Sequence, residues 1–355
     1  MKNPLKILLL LLVTAMVYGC AAAPLPDMIW PSPPEPPRIK YITDYTGAAQ
    51  SSSVAKDIIL GTQSASVMKK PMGVYVDPEG KIYVTDTAAA NVFIIDSVTK
   101  KSTSLGAMGV KSLYKPIGVS TDSKGRIFVA DSQTDVVSVF SPTGALVAKI
   151  EPDEPFKQPT GLAVDRKNNR LYVTDTHSHS IKVFDTETFK QVATVGGRGK
   201  GEGRFNFPSH ITVDNDGKLY VVDTMNGRVQ IFDRDGKFIR AFGQFGDAPG
   251  MFARSKGVGV DSEGHIYVVD SAFNNVQIFD QEGRALLYFS GYGTGRGQMI
   301  LPAGAAVDKD DNIYVVDSWN QRVEKFEYLG AKHFERSGKP LPEYMLEEPD
   351  AEQAE

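Results

Sequence analysis

The chain of 355 residues holds one cysteine, Cys20, so no disulfide can form within it. It has no basic excess either. With 39 Lys and Arg against 43 Asp and Glu, the formal net charge is −4, which removes the overall electrostatic signature of a nucleic-acid binder. The apolar run Ile7 to Val17 is too short to cross a bilayer comfortably. No serine stands in a GxSxG context, which excludes a nucleophile elbow. No glycine-rich stretch ends in GK followed by Ser or Thr, which excludes a phosphate loop. The central part also lacks any helical period. What it has in abundance is turn formers, 33 glycines and 21 prolines, between short runs of Val, Ile, Tyr and Phe.

The N-terminus carries the compartment signal. Lys2 and Lys6 precede the apolar run, as in a secretory signal. "VYGC", Val17 to Cys20, is similar to a bacterial lipobox, in which the cysteine is lipidated and becomes the mature N-terminus. The competing reading is a cleaved signal peptide followed by an unmodified cysteine. Ala21 after the cysteine fits the outer-membrane sorting pattern, so the expected location is the bacterial outer membrane, facing the periplasm or the surface. Pro24 to Pro37 is proline-rich and is expected to form an extended spacer, on the order of 40 Å at ~3.1 Å per residue. The expected organisation is a signal peptide at 1–19, a lipidated Cys20 and tether at 20–37, a folded body at 38–338 and an acidic tail at 339–355.

Aligning the body on the aspartate that ends each "YVxD"-like run gives Asp86, Asp131, Asp175, Asp223, Asp270 and Asp317. Their spacing is nearly constant, which marks a solenoid or a propeller. Each unit reads as four short strands separated by turns such as "DNDG" (Asp214 to Gly217). Runs such as "IYVV" (Ile266 to Val269) are apolar on successive residues, as strands covered on both faces require. The pattern predicts an all-β, six-bladed β-propeller of four-stranded antiparallel blades. "RIKYITDYTG" (Arg38 to Gly47) matches the fourth run of other units, so the N-terminal strand is expected to close the sixth blade. "AKHFERSG" (Ala331 to Gly338) is the rival for that place. The stretch "FPSHITVDNDGKLYVVDTMNGRVQIFDRDGKFIRAFG" (Phe207 to Gly243) resembles the NHL repeat, and the resemblance extends over Pro71 to Glu327. It implies a propeller used for RNA or protein binding, with a few relatives acting as metal-dependent lyases or lactonases. Fold is thereby better determined than function.

Residues present in every unit are expected to build the scaffold. This applies to the six aligned aspartates, each followed by Ser or Thr, and to Asp77, Asp122, Asp165, Asp214, Asp261 and Asp308 before the tight turns. Function is expected where the units differ. In a meander, the loops joining strands two and three lie on the same face as those joining one blade to the next, and these are the long ones. They gather Arg198, Lys200, Arg204, Arg228, Arg296 and Arg322 with Phe273 and Trp319, the candidate binding face. Phe205 and Phe252 instead read as plugs between blades. His177, His179 and His210 are the candidates for a zinc or calcium site. Against it, the positions matching His210 are Gly73, Gly118, Gly161, Gly257 and Gly304, which offer no ligand. His265 in a turn and His333 in the tail are expected to be exposed. The reading is a lipid-anchored envelope module without a cofactor, binding an envelope protein or anionic glycan and no nucleic acid. The alternative is a metal-dependent lyase or hydrolase.

Overall fold

The computed structural model describes residues 26–47 and 67–345. Cys20, the signal segment and residues 346–355 of the tail lie outside the described residues. Six antiparallel sheets follow one another along the chain. Blade one runs from Pro71 to Ser104, blade two from Pro116 to Ile150, and blade three from Pro159 to Gly196. Blade four runs from Pro208 to Phe242, and blade five from Ser255 to Phe289. Blade six takes its three inner strands from Pro302–Val307, Asn312–Asp317 and Arg322–Tyr328.

The N-terminal strand, Ile39–Tyr45, completes blade six, pairing Ile39 with Tyr328 and Tyr45 with Val323. The first and last parts of the body are thus held in one sheet, which closes the ring. The rival for this place, Ala331–Ser337, is a helix. Its Lys332 and Arg336 bond carbonyls at Lys309 and Asp310, which seats it on the first hairpin of blade six. The expected extended spacer is corrected by a fifth strand on the same blade. Ile29–Trp30 pairs with Ile39 and Lys40, so the proline-rich segment doubles back instead of standing off. The cause is Trp30, whose indole packs on Phe289 and Phe326 at 6.0 and 5.8 Å.

The core lies between consecutive sheets. Tyr220 and Val222 of blade four, for example, pack with Val258, Ile266 and Val268 of blade five. This explains why the inner strands are apolar on both faces. Phe205, Phe252 and Met299 are fully buried where one blade passes to the next. The innermost strands come closest at the glycine positions. A Cβ on Gly118 would lie 2.1 Å from Thr160 O, and one on Gly161 would lie 2.6 Å from Ser209 O. These glycines are there because backbone meets backbone.

Candidate binding face

The six recurring aspartates are latches. Each is buried at the end of strand two and accepts backbone N–H groups from the loop that enters its own blade. Asp86 takes those of Lys69 (2.6 Å) and Lys70. Asp131 takes Tyr114 (2.6 Å), Asp175 takes Lys157 (3.0 Å) and Asp223 takes Asn206 (2.7 Å). Asp270 takes Ala253 (2.7 Å) and Asp317 takes Ile300 (2.9 Å). The turn aspartates work similarly: Asp214, Asp261 and Asp308 each accept the N–H four residues on and the hydroxyl of a buried tyrosine. Recurring carboxylates therefore fix loops in place, and the long loops are held rigidly on one face.

Two of the expected binding residues belong to these latches. Arg228 has a side chain only 14% exposed. Its Nε donates to Asp223 Oδ2 at 2.9 Å, and its Nη2 donates to the carbonyls of Gly201 and Arg204. Arg322, 13% exposed, repeats this with Asp317, Gly295 and Gln298. Both guanidiniums face inward and clamp the loop below the surface. Sequence alone ranks them with the surface cations because it shows the charge and not its direction.

The remaining candidates do reach the surface. Arg198, Lys200, Arg204 and Arg296 are exposed, although Arg204 Nη1 also donates to Gly196 O at 3.0 Å. Arg296 lies over the Tyr41 ring at 5.2 Å. Phe273 is half-buried, and Trp319 is 66% exposed. The same face adds exposed Tyr114, Met225, Phe245, Tyr292 and Leu301. The opposite face, built of short hairpins, exposes Val98 in the outer turn of blade one. Beside Trp319 is a groove of about 350 Å³, lined by Lys69, Lys70, Leu301, Ser318 and Gln321. Its lysines were missed in the sequence. The available signal was their register, because Lys69 and Lys70 occupy the two positions whose amides the latch holds. At those positions the other blades carry pairs as different as Tyr114-Lys115 and Lys157-Gln158.

The three candidate histidines do not assemble. His179 is buried and sits in the left-handed region at φ 54°, where it closes the turn of blade three. Its Nδ1 accepts the N–H of Phe207 at 3.2 Å, and the Phe207 ring packs on it at 4.6 Å. His177 meets the same ring edge-on at 5.6 Å. His210 fills the one position of the inner ring that is not glycine. Part of its surface is accessible, but both ring nitrogens are covered and have no hydrogen-bond partner. Burial, with Lys256 nearby, pushes its pKa down to about 3, so the ring is neutral. Among the described residues no three His, Cys, Asp or Glu side chains come close enough to share a metal ion. His265 and His333, expected to be exposed, are each paired, with Asp261 and Glu327 respectively, both at 2.9 Å.

A second cavity of about 300 Å³ occupies the ring axis and opens on the hairpin face, between walls that include Val76, Val164, Val213 and Val307. Most charged groups at its mouth are already committed. Arg166 donates to Thr121, Lys332 is 3.1 Å from Asp311, and the aspartates hold their turns.

Comparison with known proteins agrees with this architecture. An NHL repeat model matches residues 156–184 and 300–326, and a six-bladed β-propeller model matches 205–272. The chain carries NHL repeats on a six-bladed propeller. NHL repeats generally serve protein interaction. NHL repeat-containing protein 2 of Bos taurus is 33% identical over 100 residues, covering 25% of this chain and 14% of that protein. The matched stretch is thus a small part of the relative's length. Among solved structures, an auxiliary nutrient binding protein from Bacteroides thetaiotaomicron aligns with a TM-score of 0.60 at 12% identity, covering 81% of this chain and 76% of that one. A gluconolactonase of Xanthomonas campestris aligns at 0.57 with 14% identity, covering 87% and 99%. Such identities establish a shared fold and nothing about activity.

Proposed function

We propose that this NHL propeller is a lipid-anchored module of the bacterial outer membrane, tethered through Cys20, that presents its long-loop face to an envelope protein or an anionic glycan. The observation that carries the reading is that exposed Trp319, Tyr292 and Phe245 share that face with exposed Arg198, Lys200, Arg204 and Arg296. Aromatic anchors beside cations suit a partner of opposite charge, and they stand out on a chain whose net charge is −4. The metal-dependent lyase reading gains no support from the histidines, which serve a turn and the ring interior.

The test is crosslinking in intact envelopes followed by capture, comparing the parent with a variant carrying Arg198→Ala, Arg204→Ala, Arg296→Ala and Trp319→Ala. The captured partner should be lost from the variant. A partner retained in full would show that the face was wrongly chosen. Arg228 and Arg322 are left intact because their loss would disturb the loops themselves.

A further inference from the structure

We propose that the groove beside Trp319 binds a sugar ring bearing a carboxylate, as in a uronic-acid glycan; this rests on the binding-face reading above. The groove lies where blade six meets blade one, and six residues line it: Lys69, Lys70, Leu301, Ser318, Trp319 and Gln321. Its volume of about 350 Å³ falls in the range of small-molecule sites.

Three observations narrow the occupant. The first is that the walls are held in place before anything binds. Asp86 takes the amides of Lys69 and Lys70, Asp317 takes that of Ile300, and Asn274 Oδ1 takes that of Leu301 at 2.8 Å. The backbone of such a site loses little ordering entropy on binding.

Second, many of the main-chain groups around the groove are already bonded. Besides those amides, Trp319 N donates to Ile300 O at 3.2 Å, Thr87 N donates to Lys70 O at 3.1 Å, and Ser318 Oγ donates to Pro71 O. An extended peptide docking by strand addition needs a row of free backbone donors and acceptors, and these bonds break up that row.

Third, what remains is side-chain chemistry. Among the described residues the ammonium groups of Lys69 and Lys70 have no acidic partner, the Gln321 amide is exposed, and the indole of Trp319 presents an open face. A flat apolar surface suits the C–H face of a pyranose. The amide suits its hydroxyls, and two compact point charges suit a carboxylate. A neutral sugar would leave the lysines unused, and a purely aliphatic ligand would leave the amide and the lysines unused.

The experiment titrates the full chain with tetragalacturonate, with its fully methyl-esterified form and with tetraglutamate, following binding by calorimetry and tryptophan emission. Trp30, packed against Phe289 and Phe326, serves as an internal reference for Trp319. Tetragalacturonate should bind and shift the emission, and the neutral ester should bind at least tenfold more weakly. Lys69→Gln with Lys70→Gln should remove that difference and the salt dependence while leaving the ester's affinity unchanged. Trp319→Ala should abolish both. Because all three side chains are exposed, melting curves of the variants should overlay the parent. Equal binding of acid and ester, or no binding of the acid, would overturn the proposal. So would tetraglutamate binding as tightly through the same three residues. In those cases a partner that is still captured from envelopes, and lost in the face variant, would leave the broader function standing.

Discussion

Blades four, five and six use one latch with different parts. In blade four, Gln230 Oε1 accepts the N–H of Gly203, and its Nε2 donates to Arg204 O at 2.7 Å and Asp223 Oδ2 at 3.0 Å. In blade five, Gln277 does the same with Gly250 N and Met251 O, but Asn275 stands where blade four has Arg228. In blade six the arginine returns as Arg322, and the glutamine is replaced by Glu324, which is fully buried. Arg322 Nη2 lies 2.8 Å from Glu324 Oε1, yet its two hydrogens go to Gly295 O and Gln298 O. Neither carboxylate oxygen then receives a side-chain hydrogen among the described residues, and the Gly297 N–H is the hydrogen bond that still favours the ionised form. A carboxylate also cannot donate to Gln298 O as Gln230 donates to Arg204 O, unless it carries a proton. The same geometry thus becomes sensitive to protonation through one change of atom. The most direct break of the comparison is to remove the latch where an arginine stands behind it. Asp223→Ala should cost about 3–5 kcal/mol in urea unfolding, because it leaves Arg228 buried without its partner carboxylate. Asp270→Ala, with no arginine behind it, should cost about 1–3 kcal/mol for orphaned amides. Equal losses would show that the arginine contributes nothing to the latch.

The second test converts blade six to the chemistry of blade four. Burial pushes the Glu324 carboxyl from 4.5 up to about 8, opposed by Arg322 and reinforced by Asp317 and Asp44. Tyr41, whose own pKa is raised by burial and by Asp44, faces the same cluster. Between pH 4.5 and 8 the folded state holds a proton here that the unfolded state has released. Stability therefore falls as pH rises through that window, and the full penalty is present only above it. Glu324→Gln should remove this slope and stabilise the chain by a few kcal/mol at pH 9, with little gain below pH 4.5. His265, raised by its bond to Asp261 against the effect of burial, titrates with the same sign, and His210 with the opposite one, so the informative quantity is the difference between parent and variant. A difference that does not change with pH would mean that Glu324 is ionised throughout.

How much of this could be read from the sequence follows from the range over which each feature is determined. Blade number, strand count and the roles of Asp86 through Asp317 depend on local patterns repeated six times, and repetition averages away the ambiguity of any one copy. Closure by Ile39–Tyr45 was legible because that strand matches the fourth run of other blades. The strand at Ile29–Trp30 was not, since proline content predicts backbone stiffness and says nothing of where an indole will pack. The direction of Arg228 and Arg322 was hidden for a similar reason. Each is fixed by an aspartate five residues earlier and by carbonyls 24 to 28 residues away, contacts that exist only once the blade has formed. The groove at Trp319 joins residues about 250 positions apart and depends on ring closure.

The smallest effect is the one that separates scaffold from surface most cleanly. Arg198 and Arg228 lie thirty residues apart and look equivalent as letters on a loop-rich face. Arg228 makes three hydrogen bonds, one to Asp223 and two to carbonyls of the loop entering its blade, whereas Arg198 is exposed and makes no ion pair among the described residues. Arg198→Ala should therefore change stability by no more than about 0.5 kcal/mol. Arg228→Ala removes a charge that neutralises buried Asp223 and should unfold the chain several-fold more readily at the same denaturant concentration. If Arg198 sits in the binding face, its loss should weaken partner capture without moving the urea midpoint, a pairing that a structural role cannot produce. A shift in midpoint as large as that of Arg228→Ala would place Arg198 with the latches and remove it from the face.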